Sequence, residues 1–226
     1  MVSPIEAEPR PRLKPGFWAR PCIESQTTFD LPRSIHAPDV CFFAVLNARR
    51  SGVGGPLSLD DLASVLWHAM LLRGRQLDGR FGLPWESRSA PSAGGLHTLG
   101  LVSLPLDTGL PMGLYEPDKH QILQIPGCVE MQAENRRSVR DLANAQHGVT
   151  LQILSDSRKL EACYENSRSL MWRDVGALVS VVCLVATALE LQAIPLGRIG
   201  NEIVGGSGLA PEFEPAGAVH LSKIES

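Results

Sequence analysis

The stretch Val175–Leu189 carries no charged residue and is almost wholly apolar, and no other segment constrains the fold as much. It falls short of the roughly 18 residues that would suggest a membrane span. A helix apolar on all sides, yet this short, belongs inside protein. The surrounding pattern predicts a long buried central helix over Asp174–Leu191, with the other elements packed around it. No membrane partner is expected.

The chain has 226 residues and is 44% hydrophobic, enough for one large domain or two small ones. Its formal charge of −3 comes without a basic stripe interleaved with aromatics, so no nucleic-acid partner is expected. The five cysteines, Cys22, Cys41, Cys128, Cys163 and Cys183, form no C-x-x-C, and the histidines are scattered. No metal site is expected, and free thiols suit a reducing, cytoplasmic setting. The N-terminus lacks the apolar core of a signal peptide.

Residues 1–40 hold Pro4, Pro9, Pro11, Pro15, Pro21, Pro32 and Pro38, which disfavour helix and central strand and predict an irregular arm. Residues 41–226 form the domain proper. Val40–Asn47 is a compact run expected to be buried. Ser58 is placed to cap a helix that stops near Gly74, with Asp60 and Asp61 in its first turn. Residues 75–90 read as a loop. Strands are expected at His97–Leu104, Met112–Tyr115, His120–Ile125, Val149–Leu154 and Ala218–Lys223. Helices are expected at 133–144 and 157–172, and a turn at Ala193–Gly200. Strands and helices do not alternate strictly. The predicted class is α+β, a mixed, largely antiparallel sheet flanked by helices.

Three places could carry chemistry. Arg49, Arg50 and Ser51 offer two guanidiniums and a hydroxyl, a set that holds a phosphate well, or else a solvated surface pair. Pro91, Ser92, Ala93, Gly94 and Gly95 are small enough for a flat ligand to approach the backbone, or form an ordinary turn into a strand. Leu196, Gly197 and Arg198 follow the apolar helix and could set amides and an arginine beside a cofactor edge. Neither the dinucleotide fingerprint nor the P-loop spacing is present. His97, beside the glycine pair, is a candidate base or a structural histidine.

Taken in order, Arg49-Arg50-Ser51, the Pro-Leu-Ser-Leu-Asp-Asp-Leu helix start and Arg88-x-x-Pro-Ser-Ala-Gly-Gly-Leu-His97 resemble the nitroreductase superfamily. They are most similar to its SagB-type dehydrogenase/oxidase branch. Gly113-Leu-Tyr115, His120-Gln-Ile-Leu123, Asp174-Val-Gly176 and Ala193-Ile-Pro-Leu-Gly197 extend the resemblance over residues 45–200. It implies a nitroreductase-like fold and an FMN-dependent oxidoreductase, usually a homodimer with flavins at the subunit interface. It implies flavin phosphate or pyrimidine contacts for Arg49, Arg50 and Ser51. It implies an isoalloxazine bed at Pro91, Ser92, Ala93 and Gly94, and contacts near the flavin N5 from Leu196, Gly197 and Arg198. Tyr164 is the residue expected to reach substrate, or else a packing tyrosine. The branch implies dehydrogenation of a peptide or small natural-product intermediate, with a biosynthetic partner enzyme. Val53 stands where such proteins usually carry a basic residue, and Cys163-Tyr164 where azoline-oxidising relatives carry Lys-Tyr. A flavin-free scaffold that binds a substrate or partner enzyme is the second expectation.

Overall fold

The structure is a computed structural model that describes residues 7–23, 27–33, 35–79, 81–205, 207, 209 and 213–225. Residues 1–6, 24–26 and 34 of the expected arm, and Ser226 at the end of the domain, lie outside that set.

In the arm, β1 (Arg10–Pro11) and β2 (Thr27–Asp30) interrupt the irregular course that the prolines predict. Then α1 (Phe42–Ala48) leads to α2 (Leu59–Met70). The expected cap is present: Ser58 Oγ accepts from Asp61 N–H while the Asp61 carboxylate accepts from Ser58 N–H. This reciprocal box satisfies two of the amides that a helix start leaves unpaired. The run before Arg49 is a correction, because in α1 only Val45 is buried and Phe42 and Phe43 are exposed.

A second correction concerns residues 75–90, which contain a hairpin of β3 (Gly74–Gln76) and β4 (Trp85–Ser87) rather than a plain loop. Its strands are held by ladder bonds and by Arg75 paired with Glu86 at 3.0 Å. Strand β5 (Leu99–Pro105) precedes the expected hairpin of β6 (Gly113–Glu116) and β7 (Gln121–Gln124). Helix α3 (Cys128–Ala143) begins earlier than its charged face suggests, and β8 (Val149–Ser155) follows.

The helix expected at 157–172 is broken into α4 (Ser157–Cys163), the two-residue strand β9 (Tyr164–Glu165) and the start of α5 (Arg168–Ala188). The first half of the turn expected at Ala193–Gly200 is instead strand, the end of β10 (Leu191–Leu196). Pro195 is tolerated there because β10 is an edge strand, where a missing donor breaks no inner ladder. The chain closes with α6 (Asn201–Val204) and β11 (Glu214–Lys223).

Seven strands form one sheet in the order β10-β11-β8-β5-β6-β7-β2, and every neighbouring pair is antiparallel. Side-chain alternation splits it into two faces. Leu99 and Leu101 of β5, Val149, Leu151 and Ile153 of β8, and Val219 and Leu221 of β11 pack with α2 and α5 in one core. Val102, Leu104 and Leu154 point the other way, toward α3 and α6.

Helix α5 buries Met171, Asp174, Val175, Leu178, Val182, Cys183 and Ala186, a single stripe at helical spacing. Trp172, Arg173, Gly176 and Ser180 on its other side are exposed. The helix expected to be buried on all sides is therefore covered on one side only within the chain. It is also long and apolar enough, by length and composition, to cross a membrane. Its buried stripe packs against α2, β10 and β11.

Candidate functional site

The Pro91–Gly95 stretch sits against the N-terminal half of α5. Ser92 Oγ donates to Asp174 at 2.7 Å, and Ala93 N–H donates to the same carboxylate at 3.0 Å. Ser92 Oγ also accepts from His97 N–H at 3.0 Å. One buried carboxylate thus fixes a turn made of residues too small to fix themselves. Burial pushes the Asp174 pKa up, and the bonds from Ser92 and Ala93 pull it back.

Both glycines of this turn lie in the left-handed region, Gly94 at φ 59° and Gly95 at φ 66°. A Cβ on Gly95 would come within 1.9 Å of the Trp85 indole, so the β3–β4 hairpin presses directly on the turn. A Cβ on Gly94 would lie 2.8 Å from the Tyr164 hydroxyl. The structure thereby places Tyr164 against the Pro91–Gly95 turn, a contact that the sequence did not indicate. Tyr164 is 9% exposed and packs edge-on to Phe81, with ring centroids 5.1 Å apart. His97 is neutral around pH 7: burial, chiefly, and the Arg88 charge push its pKa down to about 4.

Arg49, Arg50 and Ser51 lie elsewhere. Arg50 borders a cleft of about 750 Å³ formed with Thr187–Gln192, at the C-terminal end of α5. Its guanidinium donates to the carbonyls of Asn47 and Arg49, both at 2.8 Å. Burial raises the Cys183 thiol pKa, and the nearby Arg49 charge partly offsets this. From Asp174 to Cys183 the helix rises about 13 Å at 1.5 Å per residue. Within one chain the cationic group and the Ser92 turn are therefore at different ends of α5.

The Leu196–Arg198 segment divides. Leu196 packs toward α3, with Val139 and Ala218. Arg198 Nη2 donates to Asn135 Oδ1 of α3 at 2.5 Å, on the side of the sheet away from Asp174. Gly197 is exposed, and a Cβ there would meet nothing within 4 Å.

Sequence reasoning misses Lys159. It is 7% exposed, donates from Nζ to the Leu96 carbonyl at 2.5 Å, and lies 4.9 Å from the Trp18 ring centre. A lone lysine in a charged stretch carries no sequence signal. Only the fold brings α4 beneath the 88–97 segment.

No family model matches the chain, and no curated protein matches it. Solved structures do. A protein of Ralstonia eutropha assigned as a nitroreductase superimposes with a TM-score of 0.65 at 21% identity, over 97% of this chain and 100% of that one. One from Anabaena variabilis, assigned likewise, gives a TM-score of 0.58 at 18% identity over 72% of this chain but 34% of that one. A chain of the Escherichia coli microcin synthetase McbBCD complex, with truncated pro-MccB17 bound, gives 0.58 at 14% identity over 95% of this chain and 78% of that one. At these identities the likeness is one of architecture, and it establishes that the chain has the nitroreductase-like fold.

Proposed function

We propose that the chain is an FMN-dependent oxidoreductase that works as a homodimer, on a peptide or small natural-product intermediate. The observation that carries this reading is the Asp174 anchor. It holds Ser92, Ala93 and Gly94 in a flat, small-residue turn beside the half-exposed apolar side of α5.

The donor chemistry fits the cofactor. Arg49, Arg50 and Ser51 suit a phosphate, while Pro91, Ser92, Ala93 and Gly94 suit the face of a planar ring. In one chain the two sets are separated along α5, so the fit requires a second copy to bring them together. The exposed Phe42, Phe43 and Leu46 of α1, a helix that packs beside α5, would supply an apolar surface for that copy. Leu196, Gly197 and Arg198 would line the edge of the ring mainly through backbone, since the Arg198 guanidinium is engaged with Asn135. Bound FMN would supply the hydride chemistry, and the protein its position and electrostatics. Tyr164, behind Gly94, would stiffen the bed and present its ring edge toward the substrate side. A SagB-type role is supported by the ordered motifs and by the architectural likeness to a chain of the microcin synthetase McbBCD complex.

The test is direct. Purified protein incubated with FMN and desalted should keep a flavin band at about 450 nm, a property of the cofactor, and elute as a dimer. A colourless dimer would favour the flavin-free scaffold, which Val53 in place of a basic residue makes the second reading. A colourless monomer would count against both the cofactor and the assembly.

A further inference from the structure

On the side of the 88–99 segment away from α5 lies a separate cavity of about 400 Å³. This is within the range of small-molecule sites. Trp18 of the arm covers it, with the indole Nε1 donating to Asp156 at 2.7 Å and the ring over the Lys159 ammonium. Arg88, Thr98, Tyr115 and Lys159 also border it, together with apolar side chains such as Leu99 and Phe213.

The charges inside do not cancel. Glu86 is shared by Arg75 at 3.0 Å and Arg88 at 2.6 Å. Asp156 caps α4 and takes the Trp18 bond. Arg75, Arg88, Lys159 and the solvated Arg20 at the rim face Glu86, Asp156 and, 4.0 Å from Arg75, Asp118, which leaves one positive charge over. Two residues that border the cavity also carry unused donors. Arg88 Nε and Thr98 Oγ1 are buried without a hydrogen-bond partner among the described residues. Lys159 has further N–H groups beyond the one given to Leu96. Buried donors left unpaired cost free energy unless something accepts from them.

We propose that this cavity binds the carboxylate of a small aromatic or apolar acid, held by Lys159, Arg88 and Thr98 beneath Trp18. A surplus of one charge suits a monoanion better than a phosphate dianion. The apolar lining and the indole suit a hydrophobic body. Because the cavity is formed by the chain itself, the proposal stands apart from the flavin reading and is tested without flavin.

The experiment is calorimetric titration of the full chain with phenylacetate, phenylacetamide and inorganic phosphate. Phenylacetate should bind at least about tenfold more tightly than the neutral amide, the ratio expected when a charged hydrogen bond is lost. Phosphate should not displace it. Lys159→Met should weaken phenylacetate at least about tenfold, and Thr98→Val by roughly threefold. Thermal unfolding should report both variants folded; were the lysine variant unfolded, Thr98→Val would decide. No heat with phenylacetate, equal binding of the amide, displacement by phosphate, or unchanged affinity in the folded variants would each overturn the proposal.

Discussion

The two faces of the sheet solve the same problem differently. On the α3 face the chain supplies many of its own polar partners, although Gln152 Oε1 and Arg198 Nε and Nη1 find none among the described residues. Thr150, Gln152 and His220 are fully buried there and find partners in their own chain. Gln152 donates to the carbonyls of Ile199 and Gly217, and His220 bridges Thr150 and the His147 carbonyl. On the α5 face the first layer is equally well packed, but α5 then presents a second, apolar side to solvent. Two of its hydroxyls are folded back onto the helix: Ser180 donates to Gly176 and Thr187 to Cys183, both at 2.9 Å. Such back-bonding removes the need for outside partners. One face is held largely by the chain's own polar network. The other exposes a mostly apolar helix side, with Trp172 and Arg173 near its start.

The sharpest way to break that contrast is Gly176→Glu. Gly176 is exposed in the middle of α5, and a Cβ there meets nothing within 4 Å. The single chain should tolerate the change and gain about 0.5–1 kcal/mol from helix propensity. A carboxylate buried across a two-copy interface without a partner should instead raise the dimer dissociation constant about a thousandfold, roughly 4 kcal/mol. Sedimentation velocity over a concentration series reads the dimer, and thermal unfolding reads the monomer. An unchanged dimer would place the second copy elsewhere, or nowhere on α5.

The closed face is probed by pH. Burial pushes the His220 pKa down to about 4; the bond to His147 opposes this, and the Arg198 charge adds to it. An unfolded histidine takes its proton near 6.5. Between these values the unfolded chain binds more protons than the folded one, so stability rises with pH across the window and is complete above it. Falling from pH 6.5 to about 4 should cost at most about 3 kcal/mol from this residue. His220→Gln should flatten the slope of unfolding free energy against pH in that window. An unaltered slope would mean that the ring is not the group that titrates.

The two faces also differ in how far the sequence foretold them. Ser58 with Asp61, the β6–β7 hairpin and the alternation of β8 are local patterns, and each was legible because the physics acts over a few residues. The Pro91–Gly95 turn was legible as a flexible, small-residue stretch. What stabilises it was not, since Asp174 lies more than eighty positions away and only the fold brings it to Ser92. The break between α4 and α5 was hidden because helix propensity runs through it, while β9 is held by pairing with β1 of the arm. Arg198 illustrates the same limit. The Pro-Leu-Gly-Arg segment can be read along the chain, but β10 turns its guanidinium toward Asn135, and strand alternation over Pro195 gives no warning of that.

Asp174 offers the smallest effect and the most local test of the open face. Asp174→Ala removes the acceptor for both Ser92 Oγ and Ala93 N–H, and the backbone amide makes no other hydrogen bond among the described residues. An orphaned buried donor costs about 1–3 kcal/mol. Removing a carboxylate that burial disfavours returns part of that, so the net loss in chemical denaturation should be about 1–2 kcal/mol. Asp174→Asn keeps an oxygen for the amide and sheds the buried charge, and should recover most of the loss. The stabilities alone would fit any buried carboxylate. Flavin retention discriminates: if the anchor fixes the bed, Asp174→Ala should lose bound FMN at temperatures where the protein is still folded, and Asp174→Asn should keep it. Equal retention in the two variants would reduce Asp174 to a packing residue and leave the turn to be held by Trp85 and Tyr164 alone.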